Sequence, residues 1–212
     1  MKLMGGETLA DNLRREGTSK SQNKIQLLND KLNTFLKICD AIAFAHSQDI
    51  LHLDLKPENI QIGDYGEVLV IDWGLAFHLF DDSLNDDQRR LCGTPGFIAP
   101  ELKKTKIFSP DHRCDVYSLG VVLRCLLSLT GPLDKAFYSN PENLPASLIA
   151  IANKAMHDDP ELRYQSVDQV SHDIKRHLSG FATLAEDASQ TTLLMLFCRR
   201  NVKTILSCCA FA

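Results

Sequence analysis

One stretch restricts the possible folds of this chain more than any other: His52-Leu53-Asp54-Leu55-Lys56-Pro57-Glu58-Asn59, followed by Ile71-Asp72-Trp73-Gly74. Asp54 could accept a proton from an attacking hydroxyl, while Asn59 and Asp72 offer oxygen ligands for Mg²⁺ beside nucleotide phosphates. An Asp and an Asn five residues apart occur by chance in most chains. The added Lys-Pro pair and the Asp-Trp-Gly segment make chance a poor explanation, and the pattern favours phosphoryl transfer.

The composition of the chain is that of a globular protein able to bury a core, with 44% hydrophobic and 24% charged residues among 212. This length fits one domain, or one domain and part of a second. A formal net charge of −4 gives no polyelectrolyte signature, so nucleic acid is not expected as a partner. The seven cysteines lack zinc-site spacing, which favours reduced thiols and a cytoplasmic location. Residues 1–10 lack the apolar core of a signal peptide.

Hydrophobic periodicity predicts a mostly helical chain with one β-hairpin. The hairpin is expected over residues 60–62 and 67–71, with Asp72 at the end of its second strand, facing Asp54 and Asn59. Residues 75–98 are expected to form a loop. A short first helix is expected to be capped by Thr8, with Asp11 as the partner of the cap. The other predicted helices run from about residue 21 or 23 to 47, then over 114–130, 145–156 and 167–178.

With these motifs in order, the chain resembles the C-terminal lobe of a bacterial-type serine/threonine protein kinase over roughly residues 1–180. The resemblance implies an α+β, mostly α, protein-kinase-like fold, a helical lobe with a small β-hairpin at the catalytic cleft. It also implies ATP and Mg²⁺ as cofactors and a protein substrate with Ser or Thr hydroxyls. The position of Lys56 and the segment Gly93-Thr94-Pro95-Gly96-Phe97 resemble serine/threonine rather than tyrosine kinases.

The resemblance assigns roles to five residues of the reaction centre. Asp54 would be the catalytic base, and Lys56 would contact the transferred phosphate. Asn59 and Asp72 would be the Mg²⁺ ligands. Thr94 would belong to the substrate-binding loop.

Five further residues are expected to have structural roles. His52 would be a packing residue, with Trp73, in place of the family's Phe, stacked against it. Glu101 and Arg163 would form a buried ion pair, and Asp115 would hold the backbone of the catalytic loop. Six other histidines lack metal-ligand spacing and are predicted to be solvated: His46, His78, His112, His157, His172 and His177.

The resemblance places the nucleotide base against the first residues of the chain. Lys2 to Met4 would form the hinge that hydrogen-bonds adenine. Gln61 would lie under the base, where relatives usually have an apolar residue, and should weaken binding slightly. Leu53 occupies a position where most relatives carry an Arg that pairs with a phosphate on the loop. Activity is therefore expected not to depend on phosphorylation of that loop, for example at Ser83.

Two function hypotheses follow. A kinase of this family needs a Gly-rich loop, a strand lysine and a helix glutamate, and the sequence contains no Gly-x-Gly-x-x-Gly. The chain is therefore expected to begin in mid-domain, to bind ATP poorly and to transfer phosphate barely or not at all by itself. The alternative is a non-catalytic kinase-like C-lobe that docks a partner. A small-molecule phosphotransferase is disfavoured by the peptide-binding segment at 93–101.

Residues 181–212 are expected to form a separate, loose tail that is basic and apolar. Arg199, Arg200 and Lys203 precede an apolar run at 205–212. Eight residues are too few for a bilayer span, which needs about 20. Basic residues before such a run would suit a cytosolic kinase that continues into a membrane anchor, so membrane contact is expected only if the tail continues.

Overall fold

The computed structural model describes residues 6–18, 24–79, 93–104, 110–128, 131, 132, 134 and 144–202. The predicted hinge residues Lys2 and Met4, most of the predicted loop at 75–98 and the apolar run at 205–212 lie outside these ranges. The helices are α1 (Leu9–Thr18), α2 (Lys24–His46), α3 (Pro100–Lys104), α4 (His112–Ser128), α5 (Ala146–Ala155), α6 (Val167–Leu178) and α7 (Gln190–Arg200). The strands are β1 (Glu7–Thr8), β2 (Ile50–Leu51), β3 (Ile60–Ile62), β4 (Val68–Val70) and β5 (Phe77–His78). This confirms the predicted mostly α, protein-kinase-like fold.

Helix α1 begins with the predicted cap. The hydroxyl of Thr8 accepts the backbone N–H of Asp11 at 3.1 Å and donates to the carboxylate of Asp11 at 2.7 Å. The cap satisfies a backbone donor that has no partner within the helix. It fixes the direction in which α1 leaves β1.

The main core lies between α2, α4, α5 and α6. Helix α4 is its centre, since every residue from Cys114 to Leu127 except Tyr117 is buried, as its apolar sequence predicted. Gly120 allows the close approach of α4 to α5. A Cβ at Gly120 would come within 2.7 Å of the Cβ of Ala155 and within 2.8 Å of Cγ of Met156. Any larger residue would force the two helices apart.

Two small antiparallel sheets flank the predicted catalytic loop. The first has the order β1-β3-β4, with Ile60 opposite Val70, and contains the predicted hairpin. The second pairs β2 with β5, with Ile50 opposite His78. The sequence predicted a loop at 77–78, which was wrong: two-residue strands carry too little periodicity to be recognised. The sheets join the chain on both sides of residues 52–59 to the chain on both sides of Asp72.

The tail contains a helix that the sequence analysis did not predict. Helix α7 contacts the chain after α6 through Arg200, which donates from Nη1 to the carbonyl of Gly180 at 3.0 Å. The guanidinium of Arg200 also lies 3.9 Å from the ring centroid of Phe181. The described part of the tail therefore contacts the domain through Arg200. None of the helices in the described ranges is sufficiently long and apolar to cross a bilayer.

Candidate active site

The carboxylate of Asp54 lies in a closed ring of hydrogen bonds. Its Oδ2 accepts from Nζ of Lys56 at 2.7 Å, and its Oδ1 accepts from the hydroxyl of Thr94 at 2.7 Å. Nζ of Lys56 also donates to Oγ1 of Thr94, again at 2.7 Å. The predicted base, the predicted phosphate contact and the predicted substrate-loop threonine therefore meet at one point.

The pKa of Asp54 is lowered from its usual value, although the group is largely buried. Burial by itself would raise this pKa. The hydrogen bonds from Lys56 and Thr94, the charge of Lys56 and the hydrogen bond from Asn59 together outweigh it. Asp54 is therefore ionised at neutral pH and acts as an acceptor, in a site where solvent screening is reduced.

The side chain of Asn59 is oriented by the same carboxylate. Its Nδ2 donates to the backbone carbonyl of Asp54 at 2.9 Å and to Oδ2 of Asp54 at 3.0 Å. These bonds use the amide nitrogen and leave the Asn59 oxygen to accept from, or coordinate, another group. Amide oxygens of this kind are suitable ligands for Mg²⁺.

Asp72 follows β4 by two residues and is exposed, with a left-handed backbone at φ 60°. The preceding residue, Ile71, donates its N–H to the carbonyl of Asn59 at 2.9 Å. The hairpin therefore brings the backbone of Asp72 next to that of Asn59. Among the described residues, no three His, Cys, Asp or Glu side chains gather into a metal-binding group. One carboxylate and one amide nevertheless fit Mg²⁺, which usually takes its remaining ligands from phosphates and water.

His52 connects the two halves of this site. It is fully buried, and its Nδ1 accepts the backbone N–H of Asp54 at 3.2 Å. Its Nε2 lies 3.1 Å from the carbonyl of Ile71 and must donate, because a carbonyl only accepts. The ring of Trp73 packs against His52, with the centroids 4.6 Å apart. His52 thus links the backbone at Asp54 to the peptide that precedes Asp72.

Asp115, on the core helix α4, holds the backbone that precedes Asp54. Its Oδ2 accepts the N–H of His52 at 2.8 Å, and its Oδ1 accepts the N–H of Leu53 at 2.9 Å. Nε2 of His46, at the end of α2, donates to Oδ2 of Asp115 at 2.8 Å. Asp115 is completely buried, so these three donors compensate the loss of water around its charge. The loop is therefore attached to the most buried helix of the fold.

The prediction of solvated histidines was wrong for His46, His112 and His177. The side chain of His46 is only 9% exposed, and His112 stacks on it with ring centroids 4.4 Å apart. His177 is partly buried and lies 2.8 Å from the hydroxyl of Ser147. No local pattern identifies these contacts, because the partners come from other helices. The contact of His46 with Asp115 is the one that bears on the site.

Glu101 and Arg163 form a bidentate pair below the site. Nη1 and Nη2 of Arg163 each lie 2.7 Å from an oxygen of Glu101. The Arg163 side chain is fully buried, whereas that of Glu101 is 24% exposed. Nε of Arg163 donates to the carbonyl of His157 at 2.6 Å. The pair joins the start of α3 to the turn before α6.

Gln61 lies in β3, between β1 and β4, and is partly buried. Its backbone is opposite Thr8 on one side and Leu69 on the other. Gln61 follows Asn59 by two residues and lies on the strand that leads away from Asp54. Its predicted place under the nucleotide base stays a prediction, as do the roles of Lys2 and Met4, which lie outside the described residues.

A cavity of about 430 Å³ opens beside Thr94. Its walls include the apolar side chains of Leu13, Pro57 and Phe97, together with the carboxyl-bearing Glu58. The cavity adjoins the ring around Asp54 through Thr94.

Comparisons with known proteins agree with this geometry. Residues 1–187 match the family described as protein kinase domain. The chain is 34% identical over 183 residues to serine/threonine-protein kinase PknD of Protochlamydia amoebophila, covering 70% of this chain and 18% of that protein. It is 33% identical to the PknD of Chlamydia felis over 180 residues, covering 70% and 19%, and 32% identical to that of Chlamydia pneumoniae over 197 residues, covering 78% and 21%. The chain therefore spans about a fifth of the length of these relatives.

Proposed function

The chain belongs to the protein kinase family, with bacterial serine/threonine-protein kinases as its relatives, and we propose that it transfers the γ-phosphoryl group of ATP to serine or threonine hydroxyls of proteins. Residues 1–180 would form the hinge and C-lobe, and residues 181–212 a basic and apolar tail. Because the sequence contains no Gly-x-Gly-x-x-Gly motif, we expect the isolated chain to be a weak catalyst.

The hydrogen-bond ring of Asp54, Lys56 and Thr94 is the observation that supports this proposal most strongly. An ionised Asp54 can accept the hydrogen bond of a substrate hydroxyl and orient its oxygen for attack. Its lowered pKa makes it a weak base. The loose transition state of phosphoryl transfer mainly requires that the attacking hydroxyl is positioned, because the hydroxyl needs little deprotonation beforehand. Lys56 donates from within the ring and places a positive charge where negative charge must be held.

The oxygen of Asn59 and the carboxylate of Asp72 would hold Mg²⁺. When bound, the metal supplies positive charge that neutralises the phosphate oxygens. The protein's own part is to fix the two ligands. Asn59 is fixed by its bonds to Asp54. Asp72 follows Ile71, whose carbonyl accepts from His52 and whose N–H donates to the carbonyl of Asn59. We place the reaction in the cytoplasm, where ATP is available and where the buried thiols of Cys39, Cys114 and Cys125 stay reduced.

The proposal is tested with the 212-residue chain, Mg·ATP and a serine/threonine protein substrate. Asp54→Asn should reduce phosphate transfer by about 10²-fold or more, because the acceptor for the hydroxyl is lost. The matched control is Asp64→Asn, since Asp64 is an exposed aspartate in the hairpin turn and should keep wild-type transfer. Measurable transfer by wild type that Asp54→Asn leaves unchanged would contradict the proposal.

Binding gives a second readout that does not need turnover. Saturating Mg·ATP at 100 times Kd should stabilise the chain by about 2.7 kcal/mol, seen as a thermal shift. Asp72→Asn should remove the Mg²⁺-dependent part of the shift, whereas Asp54→Asn should retain most of it. The absence of any shift at millimolar Mg·ATP would exclude a kinase that is active by itself.

A second candidate function is a partner-docking module without catalysis. The docking function is favoured by exposed apolar side chains on the hairpin and just after it. Leu69, Trp73 and Leu75 are each about 40% exposed. If this is the function, Leu75→Glu should abolish capture of a partner while Asp54→Asn has no effect. If the chain acts as a kinase, Asp54→Asn should reduce its function and Leu75→Glu should have no effect.

A further inference from the structure

The rings of His46 and His112 are stacked where the end of α2 meets the start of α4, and this pair is called here the histidine stack. The ring centroids lie 4.4 Å apart, and the ring planes differ by 25°. Nε2 of His46 donates to Oδ2 of Asp115 at 2.8 Å, and the same oxygen accepts the backbone N–H of His52. The histidine stack is therefore connected to the predicted catalytic loop through a single carboxylate oxygen.

The two rings differ in how well their surroundings accept a positive charge. His46 is the last residue of α2, where the backbone carbonyls favour a cation, and it contacts the fully buried carboxylate of Asp115. His112 is the first residue of α4, where the backbone N–H groups disfavour a cation. A positive charge is therefore better stabilised on His46 than on His112.

The folded arrangement requires His112 to be neutral. Its Nε2 is buried and has no hydrogen-bond partner among the residues that the structure describes. A protonated imidazole carries an N–H on both nitrogens, so Nε2 would become a buried donor without an acceptor. Burial and the charge of His46 both lower the pKa of His112 from its usual value of 6.5. Protonation of His112 therefore works against the stack.

Three carboxylates act on His112 in the opposite direction: Asp49, Asp111 and Asp115. None of them reaches Nε2 of His112, which lacks a partner in the described part of the chain. Asp115 already accepts from three donors, and Asp111 is held by the guanidinium of Arg113, with Nη2 2.7 Å from Oδ2. These carboxylates attract a proton to His112 without offering the acceptor that its N–H would need.

We propose that the histidine stack is a proton-sensitive support of the loop at residues 52–54, and that proton uptake by His112 opens the stack and loosens the loop. Two cationic rings 4.4 Å apart repel each other, and this repulsion competes with the bond from His46 to Asp115. Loss of that bond removes one of the three donors that compensate the buried charge of Asp115. The carboxylate must then turn toward another donor, which disturbs its bonds to the N–H groups of His52 and Leu53.

The consequence for catalysis rests on the proposed function, because the loosened loop carries Asp54. Phosphate transfer should decline on acidification while the domain remains folded. The movement of the loop itself depends on neither ATP nor turnover, so it can be measured separately.

The test is a pH titration of the full chain by NMR, from pH 7.5 to pH 5.0. The ring signals of His112 should titrate with a midpoint below 6.5. The bonds to Asp115 shift the amide protons of His52 and Leu53 downfield. These two signals should move upfield with the midpoint of His112, while the other signals stay those of the folded chain.

His112→Phe is the informative variant, because a phenyl ring keeps the contact with His46 but takes up no proton. It should abolish the movement of the two amide signals. The matched control is His177→Phe, which removes a histidine on α6 whose pKa is also lowered by burial, and it should leave the movement unchanged. His46→Phe keeps the stack but removes the donor to Asp115, so the two signals should no longer respond to protonation of His112.

Three results would overturn the proposal. The first is titration of His112 while the amide signals of His52 and Leu53 stay in place. The second is movement of these signals that persists in His112→Phe. The third is conversion of all signals together to those of the unfolded chain, because the loop would then have no response of its own.

Phosphate transfer over the same pH range separates this proposal from the proposed function. In wild type, kcat/KM should fall by up to about tenfold per pH unit below the midpoint of His112, because one proton is taken up. In His112→Phe the fall should be absent. No transfer at pH 7.5 would contradict the proposed function, and the NMR titration would still decide whether the histidine stack controls the loop.

Discussion

The hydroxyl of Thr94 lies 2.7 Å from Oδ1 of Asp54, although 40 residues separate them in the chain. The same hydroxyl accepts a hydrogen bond from Lys56. The segment that contains Thr94 is therefore attached directly to the loop that contains Asp54. This one hydroxyl group joins the two segments and, together with Lys56 and Asn59, lowers the pKa of Asp54.

Replacing Thr94 by Val should affect both the site and its activity. The variant removes a hydrogen bond to a charged group, typically worth about 1.5–3 kcal/mol. Phosphate transfer should fall roughly tenfold to 100-fold, measured as kcat/KM with a protein substrate. Thr94→Ser retains the hydroxyl and should keep transfer within about threefold of wild type. A serine variant as impaired as the valine variant would show that the methyl group, not the hydroxyl, matters.

Replacing Arg163 by Lys should destabilise the fold despite the conserved charge. An ammonium cannot reproduce the two parallel bonds to Glu101 together with the bond to the carbonyl of His157. We expect a loss of about 2–4 kcal/mol in the free energy of unfolding, measured by urea denaturation, because buried polar groups lose their donors. The control is Arg14→Lys, because the Arg14 side chain is 71% exposed and makes a single bond to Asp11, which is 54% exposed. That exchange should cost less than about 1 kcal/mol.

Leu53 should make activity independent of phosphorylation in the segment at 80–92, which includes Ser83 and lies outside the described residues. Leu53 is 4% exposed and packs with Ala99, Cys114 and Leu102. An apolar side chain in this place offers no cation to a phosphate. Treatment with a phosphatase, or Ser83→Asp, should therefore change the rate by less than about twofold. A large rate gain after phosphorylation of Ser83 would contradict this.

Replacing Leu53 itself tests the packing. Leu53→Arg would place a guanidinium among apolar side chains and should cost about 3 kcal/mol or more in unfolding free energy. Leu53→Met keeps the volume and should cost less than about 1.5 kcal/mol. Similar losses in the two variants would show that shape, and not polarity, governs this position.

Stability should fall as the pH falls below about 6.5. Burial lowers the pKa of His112, and the neighbouring charge of His46 lowers it further, whereas Asp49 and Asp111 oppose the change. Burial also lowers the pKa of His177. A histidine with a lower pKa in the folded state binds fewer protons there than in the unfolded state below pH 6.5. Its stabilising contribution is therefore complete above pH 6.5 and is lost on acidification.

The effect is measured as the melting temperature between pH 7.5 and 5.5. His112→Gln and His177→Gln should each make the decrease smaller, because each removes one group that resists protonation in the folded state. Asp54, whose pKa is also lowered, loses its contribution only below its usual pKa of 3.8, outside this range. A decrease that is unchanged in both variants would assign the pH dependence to other groups.

The local sequence was sufficient to predict the bounds of helices whose hydrophobic periodicity extends over several helical turns. Helix α6 has the predicted bounds of residues 167 and 178, and α4 begins only two residues before its predicted start. Each of these helices contains enough apolar positions to define a face. The β2–β5 pair has two residues on each strand, and α7 turns its apolar side chains away from the domain. Neither feature has a periodic pattern that indicates burial.

The sequence predicted which residues form the candidate site better than it predicted the contacts between them. Local motifs identify Asp54, Lys56 and Asn59 because chemistry fixes their spacing. The position of His46 against Asp115 joins residues 69 apart and depends on how α2 and α4 pack. The hydrogen bond between Thr94 and Asp54 likewise exists only once the domain has folded.

The attachment of residues 52 and 53 to Asp115 has a consequence for hydrogen exchange. The amide protons of His52 and Leu53 are donated to a carboxylate that is inaccessible to solvent, on the helix at the centre of the core. Exchange with deuterium requires these bonds to open, and opening requires α4 to separate from the loop. The two amides should therefore exchange at the rate of global unfolding, as slowly as amides in the middle of α4. Amides of the exposed turn at 64–66 should exchange orders of magnitude faster, although both segments are loops.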